Sequence, residues 1–214
     1  MTTGKEMEVE SEKEEFEHVL EILRQQLLGA SSNFYIYEKL WPTERVVDVI
    51  NRYIGFFQPA RDALLDCITI KVSDIVSNKA DAPSFYRILK MVAINSKLAP
   101  AINVREVKRS IKRHGKTLEA IKDYRNKHAA HRITTVKKGK AYRILYLDTK
   151  RVLKELEDIF NKISGSHSKR VWSFRYSQQG DVIALIDGLQ RLMTEDKKRI
   201  DELKKKMEDD SKIE

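Results

Sequence analysis

The chain has 214 residues, 34% of them charged, a formal net charge of +9, one cysteine, four prolines and eight glycines. A single cysteine excludes an intrachain disulfide framework, and so little proline and glycine argues against a turn-rich β protein. No apolar run reaches the roughly 20 residues of a membrane span, and the first residues are acidic rather than signal-like, so a soluble, cytoplasmic protein is expected.

Residues 1–14 are Glu-rich and lack an apolar period, which predicts a disordered N-terminus or a frayed helix start. A helix follows with Phe16, Val19, Leu20, Leu23 and Leu27 on one face, ending near Gly29 and the Ser31-Ser32 pair. The aromatic segment from Phe34 to Trp41 adds a further helical turn or two, its rings belonging to the core. Pro42 and Thr43 open a long helical region through Val46, Val49, Tyr53, Phe56 and Ala60, in which Pro59 should kink or break the helix. Ala63, Leu64, Cys67, Ile68, Val72 and Ile75 then read as the central core helix, with Cys67 a small core residue. Asp62, Asp66 and Asp74 punctuate it; solvent exposure is the commoner fate of such residues, but one of them could face the arginine and histidine cluster downstream. Ser84 has the character of an N-cap for a helix bearing Phe85, Ile88, Leu89 and Val92.

The next seam runs Val104, Val107, Ile111, His114, Leu118 and Ile121 in steps of three and four, with Gly115 and Thr117 as a dividing point. Beyond His131, Ile133–Val136 and Ala141–Leu147 flank a Lys-Lys-Gly-Lys turn, which suggests a small hairpin or a basic loop. Asp148 is suited to cap a helix carrying Val152, Leu153, Leu156, Ile159 and Ile163. In the Gly165–Gln179 loop, Trp172, Phe174 and Tyr176 alternate with Lys169, Arg170 and Arg175. Such rings either stack bases or pack one face onto the core, the commoner fate. A last helix, from Val182 to Met193, runs into a mixed-charge end or tail over 196–214. The organisation expected is one all-α domain over 15–195 with charged ends.

The chemistry concentrates in Arg125-Asn126-Lys127-His128-Ala129-Ala130-His131. Steps of three residues on a helix turn by about 300°, so Arg125, His128 and His131 fall within an arc of roughly 120° and rise ~9 Å. Extending the upstream seam places Arg125 and His128 at its next two positions. A cation on a buried face is costly unless paired or used, so either a carboxylate satisfies it or the face receives an anion. Between Arg105 and Arg143 stand 14 Lys and Arg against three acids, a local balance of +11 that leaves −2 for the rest of the chain. That basic zone suits a polyanion such as RNA or a nucleotide. Lys112, Arg113, Lys122, Lys127, Arg132, Lys137 and Lys138 are the candidate phosphate contacts. No glycine-rich phosphate loop, zinc-ligand cysteine set or nucleophile elbow is present, and His128-x-x-His131 has no third ligand at metal spacing. No cofactor or metal is expected.

The string Tyr124–Arg132, preceded by Ala63-Leu64-Leu65-Asp66, Asp74, Ser84 and Leu89, resembles the abortive-infection U-type branch of the HEPN superfamily. These are all-α domains with an arginine and, four to six residues on, a histidine near the end of a late core helix. The resemblance implies a metal-independent endoribonuclease, a toxin or phage-defence effector, working as a homodimer with both motifs in one cleft. It implies phosphate stabilisation by Arg125, acid/base work by His131, orientation by Asn126, and a second proton-transfer or orienting role for His128. Some members carry a tyrosine two positions after the histidine that a partner antitoxin modifies; Ile133 stands there in this chain. Other members are non-catalytic RNA- or nucleotide-binding modules, and a structural, partner-binding helical protein is the remaining alternative.

Overall fold

The structure, a computed structural model, describes residues 4–41, 43–126, 138–174 and 179–210. Among the described residues are eight α-helices, one 3₁₀ turn and no strand. The helices are α1 (Gly4–Lys39), α2 (Glu44–Arg52), α3 (Ile54–Ile75), α4 (Phe85–Ile94), α5 (Val104–Arg113), α6 (Gly115–Tyr124), α7 (Lys138–Ser168) and α8 (Gln179–Asp210), with the 3₁₀ turn at Ser96–Leu98. This is the all-α class expected. The chain forms two compact units, Met1–Phe34 with Ala63–Tyr176, and Tyr35–Asp62 with Ser177–Glu214.

In the first unit, α1 buries Phe16, Leu23 and Leu27, α3 buries Ile68, Val72 and Ile75, and α7 buries Leu156, Phe160 and Ile163. Each such side chain contributes about 1.5–3 kcal/mol relative to exposure. Ser84 caps α4 as expected, its hydroxyl accepting from Arg87 N–H at 3.3 Å. In the second unit α2 packs against α8, with Val49, Ile50, Phe57 and Ile186 buried. The Arg61 guanidinium lies over Trp41, 5.5 Å from the ring centroid.

Several helix ends differ from the sequence expectation, each for a local reason. The Glu-rich start takes the helical one of its two expected forms, from Gly4, in keeping with the helix propensity of glutamate. Gly29 does not end α1. A Cβ there would meet Lys71 Cε at 3.0 Å, so the missing side chain lets α3 approach, while Ser31 donates to Glu157 and the helix runs on to Lys39. The break expected at Pro59 falls instead at Tyr53, between α2 and α3. Pro59 sits inside α3, and the carbonyl it leaves unbonded is that of Gly55, an exposed residue. Cys67 is exposed because the buried stripe of α3 passes through Leu65, Ile68 and Val72.

Among the described residues the expected hairpin is not present. Its second half, Ala141–Leu147, lies in α7, where the spacing Ala141, Leu145, Thr149, Val152, Leu156 is helical; its first half lies outside the described residues. Asp148 is therefore interior to α7 and pairs with Arg151 at 3.6 Å rather than capping. Gly165 is helical too. Lys169 ends the helix by taking the left-handed conformation, φ 59°, with its N–H on the Gly165 carbonyl.

Trp172 and Phe174 pack onto the core, as the commoner fate of such rings suggested, while Arg175 and Tyr176 lie outside the described residues. Trp172 N–H donates to Asn161 Oδ1 at 2.8 Å, and Asn161 Nδ2 returns a bond to the Trp172 carbonyl at 3.0 Å. Trp172 Nε1 donates to Ser164, Arg24 covers the ring at 4.6 Å, and Phe174 meets Phe160 edge-on. Arg24 is in turn anchored on Glu21, and that hydrogen bond holds the Glu21 carboxyl below its ordinary pKa against the opposing effect of burial. Asn161→Ala leaves both Trp172 backbone groups without this partner and is expected to cost about 1–3 kcal/mol in urea unfolding. Asn161→Asp, which keeps the acceptor but not the donor, is expected to fall between the two proteins.

Candidate nucleic-acid interface

The motif helix is positioned by an ordinary apolar register. Asn103 caps α5, its Oδ1 accepting from Arg105 and Glu106 N–H at 3.1 and 3.2 Å. Val107 and Ile111 bury that helix against its neighbours α4 and α7. The chain divides at His114, one residue before the glycine that pattern singled out: His114 N–H closes α5 on the Ile111 carbonyl and α6 begins at Gly115. In α6, Ile121 is fully buried and Tyr124 nearly so, with α7 packed alongside.

Arg125 occupies the next seam position. Its backbone stays helical, its N–H reaching the carbonyls of both Ile121 and Lys122, and the turn widens to π geometry over Arg125 and Asn126. Such widened turns are frequent at functional sites. The Arg125 side chain is 35% exposed, and its Nη2 lies 4.0 Å from Asp74 Oδ1 on α3. Of the three aspartates noted on that helix, Asp74 is thus the one facing the motif. Asn126 is exposed beside it.

The remaining site residues divide into four groups. Lys112 and Lys122 are exposed on α5 and α6. Arg113 is engaged locally: it donates to Ser110, which donates to Glu155, and its Nη2 stands 3.5 Å from the same carboxylate. Lys127, His128, His131, Arg132 and Lys137 lie outside the described residues, and Lys138 is the first residue of α7. Arg105, Lys108, Arg109 and Lys116, counted in the basic zone but not singled out, are exposed on the same two helices. The signal for them was there in the charge count; which of many lysines reach solvent depends on the helical register.

Residues 13–185 match the HEPN AbiU2 family. The chain belongs to that family. The match takes in the Arg125–His131 stretch and the helices from α2 to α7, and it ends within α8. No curated protein and no solved structure matches the chain. Among the described residues, no helix is long and apolar enough to cross a membrane.

The Arg125–Asp74 geometry fixes what the pair is worth. At 4.0 Å and with the aspartate side chain 46% exposed, it contributes no more than an ordinary surface pair, about 0–1 kcal/mol. Asp74→Asn is therefore expected to move the unfolding free energy by less than ~1 kcal/mol, read by urea denaturation.

Proposed function

We propose that this HEPN AbiU2 protein is a metal-independent endoribonuclease that acts as a homodimer, in a toxin or phage-defence role. The observation that carries the reading is Arg125, a guanidinium in the apolar register of α6 whose one ion-pair partner among the described residues is a distant, half-exposed carboxylate. A fork of donors left so loosely held suits a phosphate, which it can grip through two N–H groups. The exposed cations of α5 and α6 would draw RNA towards it.

The chemistry needs no group from outside the chain. A base removes the proton of the RNA 2′-hydroxyl, and the 2′-oxygen attacks the adjacent phosphorus. The bond to the 5′-oxygen breaks as an acid protonates it, leaving a 2′,3′-cyclic phosphate and a free 5′-hydroxyl. Histidine titrates near neutral pH and serves either proton step. His131 takes that role here, with His128 as second proton-transfer or orienting group. Arg125 offsets charge on the pentacoordinate phosphorus, and Asn126 orients the phosphate or the histidine.

A dimer would supply two such sets, and α3 offers a face for it. Ala63, Cys67 and Ile70 are exposed along that helix, one to three turns before Asp74. A two-fold contact along this stripe would bring two Arg125 side chains to one cleft. An antitoxin protein would regulate the activity by covering that cleft.

With end-labelled RNA in EDTA, the wild type is expected to release fragments ending in cyclic phosphate, and His131→Ala none. Intact RNA from a folded, dimeric wild type would sink the nuclease reading and leave an RNA-binding module. Ile70→Glu is expected to halve the mass seen by light scattering and to reduce cleavage more than 10-fold, about 1.4 kcal/mol in barrier terms.

A further inference from the structure

The last helix outruns α2, the helix packed on it. At about 1.5 Å per residue the 32 residues of α8 extend ~48 Å, whereas the nine residues of α2 packed on it extend ~14 Å. Ile186 is buried, but every residue from Thr194 to Glu208 is exposed. The exposed half nonetheless keeps an apolar seam. Met193, Asp196, Ile200, Leu203 and Met207 follow one another at steps of three and four, in phase with Ile186 and Leu189. Ile200, Leu203 and Met207 are 50%, 54% and 72% exposed. A strict alternation of this kind is the period of a coiled-coil seam.

The charges are sorted about that seam. The positions flanking it are Lys197, Arg199, Lys204 and Lys206, all basic, while Glu195, Asp201, Glu202 and Glu208 occupy outer positions. Flanking residues decide which helix can pair. A second copy aligned in parallel would set lysine and arginine against lysine and stack Asp196 on Asp196. Antiparallel pairing again sets basic flank against basic flank. A nucleic acid is no better suited, because residues 194–209 carry six basic and six acidic side chains. What the strip complements is a helix with an apolar seam and acidic flanks.

We infer that the C-terminal half of α8 is a docking strip for an acidic amphipathic helix of a partner protein. The apolar residues supply the contact, the basic flanks select glutamate-bearing partners, and Asp196 sets the register by requiring a polar or basic residue opposite. The strip lies beyond the family match, and the inference is independent of the nuclease reading.

The test uses full-length protein and two fluorescent three-heptad peptides, identical in their isoleucine and leucine seam but bearing glutamate or lysine at the flanks. In anisotropy at about 50 mM salt, the glutamate peptide is expected to bind at least ~10-fold more tightly than the lysine peptide, and to weaken at about 500 mM. Ile200→Glu with Leu203→Glu, both exposed, is expected to abolish binding while leaving the urea midpoint unchanged. Lys197→Glu with Lys204→Glu is expected to reverse the preference towards the lysine peptide. Equal binding of both peptides, or of neither, overturns the proposal. A doubled mass of the wild type that the Ile200→Glu, Leu203→Glu variant loses would also overturn it, assigning the strip to a second copy.

Discussion

Hydrogen bonds leaving α7 reach α1, the 3₁₀ turn, α5 and the segments at Ala101 and Trp172, and they pin the register of the elements they join. Glu157 accepts from Ser31 of α1, and Glu155 accepts from Ser110 of α5. Ser166 accepts from the Ala101 N–H, and Asn161 clamps the Trp172 backbone. His167, its side chain 10% exposed, places one ring nitrogen 2.7 Å from the Leu98 carbonyl and the other 3.1 Å from Glu17, with its ring against Phe16. Apolar burial supplies most of the stability but is nearly indifferent to sliding one helix along another. Part-buried hydrogen bonds are not, since each loses its partner when the register slips. This belt sets the place of α7, on which α6 packs.

That placement sets the problem posed by Arg125. Its position belongs to the register that buries Ile121, so α6 carries a cation towards the packed side of the helix. Two effects compete. Partial burial penalises the guanidinium, and Asp74 offsets part of that penalty, but at 4.0 Å and in contact with solvent the attraction is small. A residue retained for stability would be expected to make a short, forked bond to its carboxylate. The looser arrangement is what a phosphate-binding group needs before its ligand arrives, held in place without being neutralised.

The fold class and the buried faces were legible because they rest on periodicity. Phe16 to Leu27, Phe85 to Val92 and Val152 to Ile163 all face inward as their spacing requires. Helix ends were less legible, because glycine and aspartate mean different things in different surroundings. Gly29 reads as a stop until Lys71 is seen against it, and Asp148 reads as a cap until the helix is seen to begin at Lys138. At the candidate site, the importance of Arg125 followed from the seam, and Asp74 was among three aspartates that could face it. Choosing that one required seeing the end of α3 beside Arg125. The engagement of Arg113 by Glu155, 42 residues away, and the clamp by Asn161 depend on tertiary contacts that no local pattern encodes. The division of the chain into two units is also invisible to periodicity, since two of its three boundaries fall inside the continuous helices α1 and α3.

The central claim is that Arg125 is kept on the buried register for RNA rather than for folding. The most direct measurement takes one preparation of Arg125→Ala and reads both urea stability and RNA cleavage at fixed salt. The account predicts a stability change below ~1 kcal/mol together with a loss of cleavage of at least about 100-fold, some 2.7 kcal/mol of transition-state stabilisation. A variant destabilised by ~3 kcal/mol or more that still cleaves RNA at the wild-type rate when folded would contradict it, and would make Arg125 a structural residue.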